Sequence, residues 1–441
     1  MTRKRSAWRD PRIALCCLTV AASLPASAQT PLAVETFDAA WSIVRDSHFD
    51  ETLNGVDWPA VAAELRPRAA GAATPAALRR VLRDMLGRLG QSHFSVIPAT
   101  PDETSGGRDL TGSPGFDVRL VGGELLVAHV DPGGGAAAVG VRPGWRIERV
   151  ADMSVEHLLG TLSDAMEPRL LHVEGWRLAQ TRLRGPSGST VDITFVDDTD
   201  RAVPVRVERR PEAGQPVTVG NLPTMFVRVS SRRVPTPAGR AAGVIGFNVW
   251  MAAVDRLFQQ AMDEHRRDTG IVVDLRGNPG GLAVMLMGLS GHFIDERQTL
   301  GVMKTRENEL RFVVNPRRVN ASGERVAPFG GPVAILIDGL SGSASECFTG
   351  GMQSLGRARV FGETSMGQAL PALFSRLPNG DVLIHAYADF LTADGTRLEG
   401  RGVIPDEIVP VTRADLLAGR DRALDAALAW IDGQAASAAA R

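Results

Sequence analysis

Apolar positions along the chain change their spacing three times. From Val34 to Gly90 they recur at three and four residues, first as Phe37, Ala40, Trp41 and Val44, then as Leu78, Val81, Leu82, Met85, Leu86 and Leu89. This is the spacing of helices that bury one face, and Gly87 and Gly90 close the second series. Between Ala99 and Pro114 the composition turns to Pro, Asp, Thr, Ser and Gly, which predicts a linker and a boundary near residue 110. Gly115 to about Pro211 then shortens to strands parted by Gly turns: Phe116–Val118, Leu125–Val130, Arg146–Val150 and Val191–Val196. Within that β-rich module Leu162 to Arg184 reads as a helix placed to cover it. From Ala242 onward strands and helices alternate: Val244–Phe247, a helix over Ala252–His265, the buried strand Ile271–Leu275, the buried strand Val333–Ile337, and a helix from about Ser343. Such alternation predicts α/β layers, closed by an amphipathic helix from Ala414 to Ile431.

The beginning of the chain follows a different logic. Basic residues precede an apolar stretch from Ile13 to Ala22, and small residues run up to Ala28, the layout of a secretory signal peptide. The mature chain is expected to start near Gln29 and to be periplasmic or secreted. The stretch is too short to span a bilayer and no later segment is longer, so stable membrane insertion is not expected. Removing Arg3, Lys4, Arg5, Arg9, Arg12 and Asp10 takes the formal charge from −1 to −5, which argues against nucleic acid as a partner. Of the three cysteines only Cys347 would remain, so no intrachain disulfide is expected. No spacing of His, Cys or acidic residues suggests a metal, and no cofactor is implied.

Candidate chemistry sits where the two buried strands open into turns that precede helices, since unpaired backbone N–H groups there favour an anionic oxygen. The turns are Asp274-Leu275-Arg276-Gly277-Asn278-Pro279-Gly280-Gly281 and Ser341-Gly342-Ser343-Ala344-Ser345-Glu346. Read alone, the first is an ordinary Asn-Pro-Gly-Gly turn and the second a capping box, Ser343-x-x-Glu346. Together, with Gly362-Glu363-Thr364-x-x-Gly367 and Gly402-Val403-x-Pro405-Asp406, they resemble the C-terminal (tail-specific) processing and tricorn-core serine peptidases. The resemblance covers the whole predicted mature chain. It implies a Clp-protease/crotonase-like α/β core with an N-terminal helical region and an inserted PDZ-like domain, divided as 1–28 signal, 29–110 helical, 111–211 PDZ-like and 212–441 core. It makes Ser343 the nucleophile and gives the oxyanion hole to the N–H groups of Ala344 and Gly281, or Gly280.

Val130 to Ile147 is similar to the PDZ pattern of strand, small-residue helix and Pro-Gly turn, with Trp145 where that pattern carries Asp. By that likeness Gly115 and Phe116 form the loop that receives a peptide carboxylate. The plainer alternative is a β module that spaces two domains.

Family members with a Ser-Lys dyad carry the lysine where this chain has Gln368, and beyond the predicted signal the only lysine is Lys304. A base is still needed, and imidazole suits the task. The tricorn-like branch takes it from a Ser-His pair in the helical region, matched by Ser92-His93, and a glutamate before Gly-Val-x-Pro-Asp, matched by Glu399. That likeness implies that Glu399 accepts the second ring N–H of His93, with Ser92 adding a hydrogen bond. Outside this context His93 is an ordinary loop histidine and Glu399 a solvated acid. His385 is a rival base, or a groove or core residue; His292 and His265 read as structural residues on helices, without acidic or Ser partners. Arg276 and Asn278 either order the oxyanion turn or serve the structure.

The expected function is an exported endopeptidase acting on protein or peptide through an acyl-enzyme, with the oligomeric state left open. The alternatives are a catalytically inactive PDZ-type peptide-binding protein and a crotonase-type acyl-transfer enzyme that would need a coenzyme A pocket and not Ser343.

Overall fold

The computed structural model describes residues 30–100, 110–162, 168–220, 222 and 224–439. The predicted signal segment and most of the predicted linker lie outside the described residues.

Three helices open the fold: α1 (Thr30–Ser47), α2 (Trp58–Ala70) and α3 (Pro75–Gly87). Asp57 and Thr74 accept from Ala60 N and Ala77 N and so cap α2 and α3, each of which carries a proline in its first turn. Phe37, Val44, Trp58, Leu65, Leu82 and Met85 make one apolar cluster, which Leu377 and Leu383 from the far end of the chain complete. Strand β1 (Ser95–Ile97) then pairs with the core. The helical region is thereby built into the core, and the ion pair of Arg79 with the fully buried Asp381 fastens it (2.6 Å).

Strands β2 (Phe116–Val121), β3 (Glu124–Val130), β4 (Arg146–Val150), β5 (Thr190–Val196) and β6 (Ala202–Glu208) form an antiparallel sheet in that order. Period-two burial along β2 turns Phe116, Val118 and Leu120 inward. Helix α4 (Pro168–Leu183) packs on the module through Ala179 and Leu183, and β2 and β6 are the sheet's two edges.

The core is a six-stranded sheet ordered β7 (Val229–Pro235), β8 (Ala241–Phe247), β9 (Gly270–Asp274), β12 (Val333–Ile337), β13 (Arg359–Gly362), β17 (Glu407–Ile408), parallel except for β7. Between these run α5 (Ala253–His265), the hairpin β10 (Thr299–Lys304) and β11 (Glu309–Val313), α6 (Ala344–Ser354), β14 (Ala372–Arg376), β15 (Val382–Ala386) and β16 (Asp389–Thr392). Strand residues alternate between two faces. Ile245, Ile271, Val273 and Ile335 meet α5 and α6, while Val244, Val272, Ala334 and Leu336 meet the C-terminal helix.

That last helix differs from the expected single element. Gly419 takes φ +65° and splits it into α7 (Arg413–Leu417) and α8 (Arg422–Ala439). The break lets Asp421 cap α8 at Leu424 N while binding Arg276, and lets Arg413 donate to the Gly144 and Asp197 carbonyls of the β-rich module.

Candidate active site

Parallel pairing of β9 with β12, Asp274 opposite Leu336, makes both strands end at the same edge of the sheet, where their turns lie side by side. Gly342 N–H donates to the Asn278 carbonyl (3.0 Å), as does Ser345 Oγ (3.0 Å), so the two turns are stitched together. Ser343 sits at the N-cap of α6 with φ 51° and ψ −116°, a strained backbone that only dense surrounding contacts maintain. Asn278 is fully buried; its Nδ2 donates to Phe247 O and its Oδ1 accepts from Gly280 N (3.0 Å). Of the two expected readings Asn278 therefore orders the turn, and Gly280 is corrected: its N–H is already engaged and is no free oxyanion donor. The N–H groups of Gly281 and Ala344 carry no hydrogen bond among the described residues. Gly281, at φ +140°, lies so close to Trp250 that a Cβ would stand 2.3 Å from its carbonyl oxygen.

Glu346, three residues after Ser343, is fully buried and accepts from Ser343 N, Gln368 N, Gly367 N and Ser365 Oγ. Its carboxyl is pushed up to about 7 by burial, against the pull of those donors. The capping box read from sequence is thus half of a larger device that ties the nucleophile turn to the 362–368 loop. Gln368, in the place of the family lysine, contributes its carbonyl to Ser343 N (2.9 Å) and no base.

Ser92, His93 and Glu399 come together as a relay. Ser92 Oγ donates to Glu399 Oε2 (2.8 Å) and lies 2.7 Å from His93 Nδ1. Since that hydroxyl proton points to the carboxylate, His93 Nδ1–H is the donor to Ser92, and Nε2 is left as the acceptor. Glu399 also accepts from Ser92 N and Ala369 N. The expectation that Glu399 binds the imidazole directly is corrected: a single-atom bridge, Ser92 Oγ, separates them. Residues 368 and 369 join the Ser92–Glu399 pair to the Ser343 turn, because the Gln368 carbonyl meets Ser343 N and Ala369 N meets Glu399. His93 has φ +61°, and burial lowers its pKa to about 4.

Other candidates are placed elsewhere. Lys304 pairs with Glu309 on the β10–β11 hairpin. His385, on β15, is buried with both ring nitrogens held by Ser47 and Ser375. His265 does have the partners that sequence reading denied it, Ser231 Oγ at 2.9 Å and Asp268 Oδ2 at 2.7 Å, but Ser231 lies mid-strand in β7 rather than at a helix start. His292 lies beyond a short helix, Leu286–Ser290, rather than on it. Arg276 is held between Asp274 and Asp421. Gly115 donates its N–H to Ser113 Oγ and is no free carboxylate donor, while Phe116 is buried against Phe195 at the start of β2, whose outer edge pairs with no strand among the described residues.

Sequence reading missed the docking of the β-rich module on this site. Arg119 of β2 forms a buried ion pair with Asp338 (2.6 Å), which also accepts from Gly277 N in the oxyanion turn. Burial alone would raise the Asp338 carboxyl, but Arg119 and the Gly277 and Leu340 N–H groups hold it below the usual range. From α4, Val173 and Trp176 pack on Leu340 and Met366, which flank Ser343. An arginine in an alternating strand gives no sequence signal for such a contact.

Comparison with known proteins agrees with this geometry. The family model described as peptidase family S41 matches residues 241–409, and that described as tricorn protease C1 domain matches residues 34–87. A carboxyl-terminal-processing protease of Picosynechococcus sp. (strain PCC 7002) is 25% identical over 390 residues, covering 84% of this chain and 82% of that protein. Among solved structures, mature CPAF superimposes with a TM-score of 0.64 at 14% identity, covering 93% of this chain and 99% of that one. The photosystem II D1 C-terminal processing protease gives 0.56 at 20% identity, covering 92% and 99%. The chain is a serine-type peptidase whose residues 241–409 match peptidase family S41, and it is similar along most of its length to the carboxyl-terminal-processing and tricorn-core peptidases.

Proposed function

We propose that the protein is an exported endopeptidase that opens peptide bonds with Ser343, using His93 as base and the Ser92–Glu399 pair to orient it. Ser343 Oγ bonds to the scissile carbonyl carbon as its proton passes to His93 Nε2. The carbonyl oxygen becomes anionic within reach of the Gly281 and Ala344 N–H groups, and the amine departs with the proton from His93. Water, activated by the same imidazole, then hydrolyses the acyl-enzyme. The observation that carries this reading is the relay Nδ1–Ser92–Glu399, which fixes the tautomer a general base needs. It also favours an enzyme over an inactive peptide-binding protein, since binding has no use for an oriented imidazole.

The edge of β2 fits an extended peptide added as a further strand, as in PDZ-like modules, and in this reading the polypeptide is admitted from its C-terminal end. No helix among the described residues is long and apolar enough to cross a membrane.

The test is covalent labelling of the full chain with a fluorophosphonate, followed by peptide mapping. Labelling confined to Ser343 and lost in His93→Ala is the expected result. A folded chain that does not label would move the function to peptide binding.

A further inference from the structure

We propose that the last turn of α1, Ser47–His48, is a positioning clamp for His93, which makes the N-terminal helix a working part of the active site. The inference rests on His93 being the base.

His48 is fully buried. Its Nε2 lies 2.8 Å from Gln91 Oε1, an oxygen that only accepts, so Nε2–H donates to it, while Nδ1 lies 2.9 Å from Asp50 O and 3.0 Å from Asp50 N. The ring also stacks on Phe94, at 5.6 Å between centroids and 10° between planes. Gln91 and Phe94 bracket the Ser92-His93 pair, so one imidazole grips the segment on both sides of the base. The neighbouring Ser47 gives its hydroxyl proton to Ile43 O and accepts from His385 Nδ1 at 2.8 Å. His385 lies on β15, the strand that pairs with Ser95–Ile97 directly after the base. The clamp has its own anchor, because Arg306 reaches from the β10–β11 connection to donate to the His48 and Arg45 carbonyls.

A clamp is needed because His93 holds φ +61°, which a non-glycine residue keeps only when its surroundings impose it. Nothing in the relay to Ser92 and Glu399 fixes the backbone ahead of Ser92 except one N–H bond to Glu399. Gln91 fixes it from the other side. A shift of the base by about 1 Å is enough to cost ~100-fold in rate, so a contact two residues away from His93 acts on catalysis without touching substrate.

The experiment compares His48→Ala, Gln91→Ala and His48→Gln in the full chain by the kinetics of fluorophosphonate labelling of Ser343, resolved into the maximal rate and the half-saturating concentration, with thermal unfolding alongside. His48→Ala and Gln91→Ala should lower the maximal rate ~10–100-fold with the half-saturating concentration unchanged. His48→Gln, whose amide can still donate to Gln91, should recover part of the loss, which a purely structural role does not predict. If His48→Ala does not fold, Gln91→Ala carries the test. Folded variants that label within about twofold of the unaltered protein overturn the clamp. An unaltered protein that does not label at all overturns the functional reading, and the clamp with it.

Discussion

His93 and Glu346 are shifted in opposite senses by the same cause, burial, which disfavours the charged form of each. With its pKa lowered to about 4, His93 stays neutral and able to accept a proton well into the acidic range. Glu346, pushed up to about 7, gains its proton on acidification long before His93 does. Protonation weakens the acceptor that holds Ser343 N, Gly367 N and Gln368 N, and the nucleophile turn loosens. The acidic limb of the labelling rate should therefore lie near 7, and in Glu346→Gln it should move down toward 4 with a lower plateau. A limb that stays near 7 in that variant would refute the assignment. The bridging role of Ser92 has its own signature: Ser92→Ala disconnects Nδ1 from Glu399 and should lower the labelling rate by up to about 10⁴-fold, the loss that follows when the group orienting a catalytic imidazole through its second nitrogen is disabled.

At the scale of elements, the oxyanion turn shows what a sequence can and cannot disclose. Asn-Pro-Gly-Gly marked the turn, but which glycine presents its N–H depends on the side chain of Asn278, which takes Gly280, and on Trp250, thirty-one residues before Gly281, whose carbonyl presses against Gly281. Gly281→Ala would place a Cβ 2.3 Å from that oxygen at a φ of +140°, so the turn must move. The expected result is a folded protein with Ser343 present and labelling slowed roughly 10²–10³-fold, the loss that follows removal of one oxyanion donor. Buried strands such as Val333–Ile337 were legible to the residue, because a run of branched apolar side chains buried on both faces has few other uses. The final helix was not: it breaks at Gly419, φ +65°, and Asp421, which also pairs with Arg276, caps the second half at Leu424 N. Ser92, His93 and Glu399 were found through family motifs alone; neither spacing nor composition brings together residues 307 apart.

Over the whole molecule, helical region, module and core each supply a part of the proposed site: His93 from the first, Arg119 from the second, Ser343 from the third. Removing Arg119 leaves Asp338 buried without its ion pair, so Arg119→Ala should lower stability by about 3–5 kcal/mol in denaturant unfolding, as is typical when one partner of a buried pair is lost. Acid acts on the fold by another route. His292 is buried beside Phe258 with neither ring nitrogen bonded among the described residues, and burial together with Arg317 and Arg266 lowers its pKa to about 3. A histidine whose folded pKa lies below its unfolded value of 6.5 takes up its proton first in the unfolded chain, so stability is lost as pH falls from 6.5 through the folded value. His93 contributes in the same direction between 6.5 and about 4, whereas Glu346, raised from 4.5, opposes it below 7. His292→Leu removes one of the histidine terms and also two unpartnered buried polar atoms. It should raise the unfolding temperature at neutral pH, where two such atoms cost about 1–3 kcal/mol each, and flatten its decline between pH 6.5 and 4, which a pH series of thermal unfolding curves on both proteins reads directly. A lower unfolding temperature at neutral pH with an unchanged acid slope would mean that His292 is satisfied by groups other than the described residues.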